Sequence, residues 1–313
     1  MERVKTLFKK IFPNAKMSDS NKDRLASWSL ILPYTLVFLA FIIVPIIMAF
    51  VLSFTYYDAI NAPEFAGLQN YIYMITGDEE FLKYIIPNTL KFALIVGPGG
   101  FALSFIMAWM LAQIQATPRK YLSLLLYAPS MVGAILVTIL WKSLFSGSES
   151  GYINAFLLNN DFIEAPIQFL QSPEYLLNIM VVVSLWSSMG IGFLAMLAGI
   201  LNVNPELYEA GQIDGIKNRI QEIFYITIPS MKPQMLFGAV MAIVGAFNMG
   251  EIGVLLSGTN PTPQYSGSLI VNHIADYGFL RYEMGYASAL SVVLFLIVFA
   301  FSRFGHILFG SDN

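Results

Sequence analysis

No cysteine occurs anywhere in the 313 residues, which excludes a disulfide framework, a thiolate metal site and a cysteine nucleophile. Histidine is scarce as well. Only His273 and His306 are present, too few and too far apart to build a metal centre or a serine triad. Charged residues make up 12% of the chain, about half the usual share of about 25%. A net charge of −3 gives nucleic acid no electrostatic reason to bind. No G-x-x-x-x-G-K-[ST], H-E-x-x-H or G-x-S-x-G segment occurs, so the chain has no phosphate-cradling loop, zincin helix or nucleophile elbow of its own. The segment Gly190–Ala195, GIGFLA, formally matches a dinucleotide fingerprint. It follows no strand and sits inside an apolar run, so no cofactor is expected there.

What the chain has instead is apolar length. Hydrophobic residues make up 57% and the mean hydropathy is +0.65, above the globular range of about 45–50% apolar. Six runs reach the ~20 residues that a helix needs to cross a hydrocarbon core. They are Leu30–Phe54, Thr89–Ile114, Tyr121–Phe145, Tyr175–Leu201, Met235–Leu256 and Tyr286–Phe309. The fold class expected is therefore all-α, a polytopic membrane protein with six transmembrane helices. The first run follows a polar tail and has no small-residue cleavage site after it, so it is expected to be retained rather than removed as a signal peptide. Residues 1–28 form a basic tail and 29–313 one membrane domain. Val96–Gly100, VGPGG, is expected to kink or unwind the second span. Gly192, Ala195 and Gly199 share a face of the fourth, as close helix packing requires. FAGLQNYIYM, in the loop Thr55–Tyr84, suggests a short interfacial helix.

Basic residues set the orientation. Arg3, Lys5, Lys9, Lys10, Lys16, Lys22 and Arg24 precede the first run, Arg119 and Lys120 follow the second, and Lys217, Arg219 and Lys232 follow the fourth. With Arg303 near the C-terminal end, thirteen of the seventeen basic residues fall on one side. The other loops carry carboxylates such as Asp78, Glu79, Glu80, Glu149, Glu174 and Asp276. Both termini are expected in the cytoplasm, in a multi-pass cell-membrane protein.

One polar stretch on the same side, within residues 202–229, reads as a helix–turn–helix. Asn204 suits an N-cap, Pro205 the first helical position, and Glu206 and Glu209 the positive end of the helix dipole. Asp214–Gly215 is a turn signal that tolerates positive φ. Ile216, Ile220, Ile223 and Phe224 recur at helical spacing, an expected apolar underside for the second helix. Pro229 is expected to mark the break before the fifth span.

At this stretch the chain resembles the permease subunits of binding-protein-dependent ABC importers, most closely the maltose-type carbohydrate-uptake permeases. YEAGQIDG and ITIPSMKP are similar to that family's EAA motif, and VPIIMAFVLSFTYYD, LYAPSMVGAILVTILWKSLF and MGYASALSVVLF are similar to segments elsewhere in it. The resemblance implies the type I importer permease fold. It also implies that the helix–turn–helix is a coupling element docking on a separate ATPase. Glu209, Ala210 and Gly211 then occupy the E-A-A positions and Gly215 the turn, with Glu206, Asp214 and Pro229 completing the coupling set. Gly211 departs from the motif's alanine, lowering helix propensity by about 1 kcal/mol. The interval from Gly215 to Ile226 is also one residue longer than the common pattern. The partners implied are a second permease subunit, two cytosolic ABC ATPase subunits and an extracellular substrate-binding protein, with a sugar or oligosaccharide as cargo. ATP and Mg would belong to the ATPase, with no cofactor in this chain and no catalysis by it.

Ionisable residues at membrane depth point to function. Glu251 is the clearest, and Val244, Phe247, Asn248 and Glu251 would share one face of the fifth span. Such a mixture of carboxylate, amide and ring suits a sugar. Trp186, Ser187 and Ser188 fall near the middle of the fourth span. The competing reading pairs Glu251 with Lys142 or Arg281 and leaves the serines bonded to their own helix. The rival function is an ATP-independent secondary transporter or a multi-pass membrane enzyme. Secondary transporters often show inverted repeats, and none is detected here.

Overall fold

Apolar sequence at 3.6-residue periodicity leaves the chain one economical structure in lipid, the helix, because only there is every backbone polar group satisfied within the segment. A computed structural model describes residues 19–310, with side chains from residue 27. The bases Arg3 to Lys16 of the expected tail lie outside the described residues. From Asp19 the chain is already helical and runs into the first span. Three spans are single helices, Ser27–Leu52, Phe81–Ala112 and Met284–Phe309. Two more are bent pairs, Ala116–Met131 with Ala134–Leu144 at 97° and Leu176–Trp186 with Ile191–Leu201 at 42°. The fifth is Lys232–Asn248 followed, after a break, by Ile252–Ser257. The count of six stands by length and composition.

Spans two, four and five form the centre. Phe92, Met180, Leu176 and Phe247 are buried together there. Close approach depends on missing side chains: a Cβ on Gly192 would stand 3.3 Å from the Gly238 Cα, so the fourth and fifth spans meet backbone to backbone. The first span lies outside this centre. No residue of its apolar stretch is buried, and Phe41 is 77% exposed, so lipid or a partner chain must cover it.

The chain does not unwind at Val96–Gly100; one continuous helix, Ile86–Ala112, contains Pro98. Neighbours hold it in place of the lost N–H bond, as membrane helices allow. Gly99 faces Leu185, and a Cβ on Gly100 would stand 2.9 Å from that of Ser188. The glycines serve packing. The third span, by contrast, breaks after Met131, where Val132 and Gly133 are extended at ψ 129° and 147°. Pro129 removes the bond to Leu125 in the preceding turn, which weakens the helix there.

At one end of the bundle, Thr55–Tyr56 pairs antiparallel with Glu64–Phe65, and the expected short helix runs Gln69–Thr76. Nearby, Asp78 joins three segments. Its carboxylate accepts from Tyr286 Oη and His273 Nε2, both at 2.7 Å, and from the Phe81 amide at 2.9 Å. His273, in the short helix Ile270–Ala275, is buried.

Candidate functional site

Three helix breaks converge on one cavity of about 370 Å³. Its wall takes Pro129, Ser130 and Val132 from the break in the third span, Ser184 and Ser187 from the fourth, and Asn248 to Ile252 from the fifth. Each break has a local cause. Ser187 ends its helix near ψ 0°, and Gly190 restarts the next with φ −94°, ψ −145°. Asn248 ends the fifth span's long helix, and Met249 turns out of helical geometry at ψ 68°. A Cβ on Gly250 would collide with Val271, so only glycine permits the chain to pass there. Broken spans expose backbone groups and polar side chains at membrane depth, which is tolerated where they line a cavity.

The polar groups on this wall are under-used. The Ser184 and Ser187 hydroxyls are buried and have no hydrogen-bond partner, although buried polar side chains are nearly always paired. Glu251 is exposed to the cavity and makes no ion pair among the described residues. Arg281, one expected alternative partner, is instead paired with Asp276 at 2.7 Å. A smaller cavity of about 180 Å³ shares Ser187 and Met249 with the first, and Gly100, Gly190, Gly192, Gly238 and Gly245 line it.

The structure therefore brings Ser187, Asn248 and Glu251 to one wall and separates the other two expected path residues. Phe247 is buried in the core against Phe301, with ring centroids 5.3 Å apart. Trp186 packs edge-on against Trp141 at 5.6 Å. The single helical face expected for Val244, Phe247, Asn248 and Glu251 is lost because the helix stops at Asn248, leaving Glu251 to cap the next short helix. Ser188, within the break, donates to the Leu185 carbonyl of the preceding helix at 2.7 Å, in line with the competing reading, whereas Ser187 makes no such bond. Ser130 and Ser184 were missed by sequence reasoning. The signal for Ser130 was its place between Pro129 and Gly133.

The second candidate is the polar helix pair. Asn204 Oδ1 caps the helix Pro205–Ile213 by accepting from the Glu206 amide at 3.1 Å. Gly215 follows with φ +98°, the left-handed conformation that a β-branched residue resists. Asn218 caps the second helix, which runs from Arg219 to Ser230 and bends by 89° into the fifth span. The bend falls at Met231, two residues after Pro229, where the break was expected; Pro229 itself lies within the last turn of the second helix.

Glu206, Glu209, Ala210 and Asp214 are all exposed, whereas Gly211 is buried. A Cβ on Gly211 would stand 2.7 Å from the Ile226 Cδ1 and 3.0 Å from the Ile216 Cδ1. The departure from alanine is thus matched by a close second helix. Tyr208 Oη and Thr227 Oγ1, 3.0 Å apart, tie the two helices, and Arg219 pairs with Glu222 at 2.7 Å. The expected apolar underside is only partly right. Ile216 and Ile223 are half-buried, but Ile220 and Phe224 are exposed, because Ile226 and Thr227 take the inner face once the helix widens at Ile223–Thr227. Ile213, 87% exposed, is a further uncovered apolar side chain of the pair.

Comparison with known proteins gives a family. Residues 100–309 match the model described as binding-protein-dependent transport system inner membrane component. The probable ABC transporter permease protein YesP of Bacillus subtilis is 32% identical over 90% of each chain. The arabinooligosaccharides transport system permease protein AraP of the same organism is 29% identical over 99% of this chain and 98% of its own. Among solved structures, a bacterial ABC transporter involved in the import of the acidic polysaccharide alginate superposes with a TM-score of 0.74 at 24% identity, covering 93% of this chain and 96% of that one.

Proposed function

The chain belongs to the family of binding-protein-dependent transport system inner membrane components, and on that premise we propose that it is the permease subunit of an ABC importer carrying a sugar or oligosaccharide into the cell. The observation that carries the coupling part is the helix pair at residues 204–230. It is held by caps, by the Gly211–Ile226 approach and by the Tyr208–Thr227 bond, yet it leaves Glu209, Ala210 and the apolar side chains Ile213, Ile220 and Phe224 exposed. A segment so fixed and so uncovered suits docking on a partner. That partner is a separate ATPase dimer, which holds ATP and Mg; a second permease subunit and an extracellular substrate-binding protein complete the assembly. Both termini and the helix pair face the cytoplasm, as the distribution of Lys and Arg supports.

ATP can drive transport only by favouring one state of the membrane domain over the other, so the link between motor and cavity must be stiff. The second helix of the pair continues through the Met231 bend into the fifth span, and that span carries Asn248 and Glu251 to the cavity. Motion at Glu209 would pass through its contacts with the second helix, across the Met231 bend and along the fifth span to the cavity wall. The alignment of AraP over nearly the whole chain supports an oligosaccharide as cargo. Ser187, Asn248 and Glu251 are the groups of this chain that would meet it.

Co-purification of the ATPase with Glu209→Lys tests the coupling. Juxtaposed like charges at an interface cost several kcal/mol, so ATPase retention and uptake should fall together while membrane insertion persists. Normal retention and uptake in this variant would remove the helix pair from the mechanism.

A further inference from the structure

The wall of the larger cavity also carries information about the charge of what passes. We infer that it accepts an uncharged polyhydroxylated ligand and disfavours an anionic one such as a uronate sugar, with Glu251 as the specificity-determining residue. This rests on the reading of the cavity as the substrate path, and goes beyond it by choosing a class of sugar.

The chemistry follows from the wall itself. Among its lining residues only Glu251 is ionisable; no Lys, Arg or His of this chain stands there. Lys142 and Arg281 are absent from that wall, and Arg281 is paired with Asp276. The remaining polar side chains are Ser130, Ser184, Ser187 and Asn248. Ser130 donates its hydroxyl to the Tyr127 carbonyl at 2.8 Å, which leaves it as an acceptor toward the cavity. The Ser184 and Ser187 hydroxyls are buried behind that surface and unpartnered. The exposed acceptors Ser130, Asn248 and Glu251 match sugar hydroxyls, which can donate to them. A sugar carboxylate brings only acceptors and negative charge to the same wall. It would meet the Glu251 carboxylate and no cation of this chain to offset it.

The test uses the absence of native cysteine from this chain. In the assembled importer, the thiol of Ser130→Cys is alkylated with a maleimide and the modification is read as the mass of this chain. Maltotriose or arabinotriose, at equal concentration, should slow the reaction, and trigalacturonate should not. Adding Glu251→Gln should strengthen trigalacturonate protection by about tenfold, while Glu251→Asp preserves the discrimination. Protection by trigalacturonate equal to that by the neutral sugars, or a ratio unchanged in Glu251→Gln, overturns the selectivity and leaves the cavity as substrate path. Failure of every sugar to slow alkylation in any variant overturns the cavity reading and the selectivity with it.

Discussion

His273 Nε2 lies 2.7 Å from the Asp78 Oδ2, two residues 195 positions apart in sequence and both buried. With the Tyr286 hydroxyl on the same oxygen, this contact clamps the entry of the second span to the segment before the sixth and to the start of the sixth itself. Burial pushes the Asp78 carboxyl up, but the bonds from His273, Tyr286 and the Phe81 amide outweigh it and hold the group below its usual value of 3.8. A carboxylate whose folded value is depressed stabilises the fold above its unfolded value and loses that contribution as the pH falls through the folded one.

The first prediction follows from that sign. Asp78→Ala should lower the melting temperature of the purified subunit at neutral pH by several degrees, since it strands buried donors at a cost of about 3–5 kcal/mol. Asp78→Asn, which keeps one acceptor, should lose less. The gap between wild type and Asp78→Ala should be constant above about pH 4 and narrow below it. A gap that stayed the same into strong acid would show that the carboxylate charge plays no part.

Gly211 and Gly215 look alike in sequence and should respond differently. At Gly211 the nearest atom is the free end of Ile226, which can turn aside, and alanine gains about 1 kcal/mol of helix propensity. Gly211→Ala should therefore be tolerated. Gly211→Leu should part the two helices, read as faster amide hydrogen exchange over residues 205–230. Gly215→Val meets open space but must adopt φ +98°, so it should loosen the turn and lower ATPase co-purification without affecting the spans.

The orientation is tested by surface labelling. Ser148 and Thr117 are both exposed, so a difference in reactivity reports the side of the membrane and not burial. Ser148→Cys should react with an impermeant maleimide in intact cells and Thr117→Cys should not. The reverse pattern would invert the topology and remove the helix pair from the cytoplasm.

Cavity and core positions should separate by readout. Asn248→Leu and Ser187→Val should lower uptake while leaving the melting temperature and ATPase association close to wild type. Phe247→Ala should lower the melting temperature, because truncating a buried phenylalanine costs about 3–5 kcal/mol. If uptake survived in both cavity variants, those residues would be structural only.

Much of this protein was legible in the sequence because its signals are local. Twenty apolar residues in a row satisfy their own backbone wherever they sit, so the six spans needed no tertiary context. The cap at Asn204 and the turn at Gly215 are likewise set by neighbours a few residues away. The EAA-like stretch marked the family for the same reason. The breaks were different. Pro98 lies inside an unbroken helix and Pro129 just before a 97° bend, although both are prolines in apolar runs. What distinguishes them is the company each keeps: Pro98 is packed among glycines and the fourth span, whereas the chain beyond Pro129 opens onto a cavity. That is a long-range property, and it decided the site. It moved Phe247 and Trp186 into packing, gathered Ser130, Ser184, Ser187, Asn248 and Glu251 from three spans onto one wall, and paired His273 with an aspartate nearly two hundred residues away. Composition states how much apolar surface must be covered; only the packed helices state which polar groups are left facing one another.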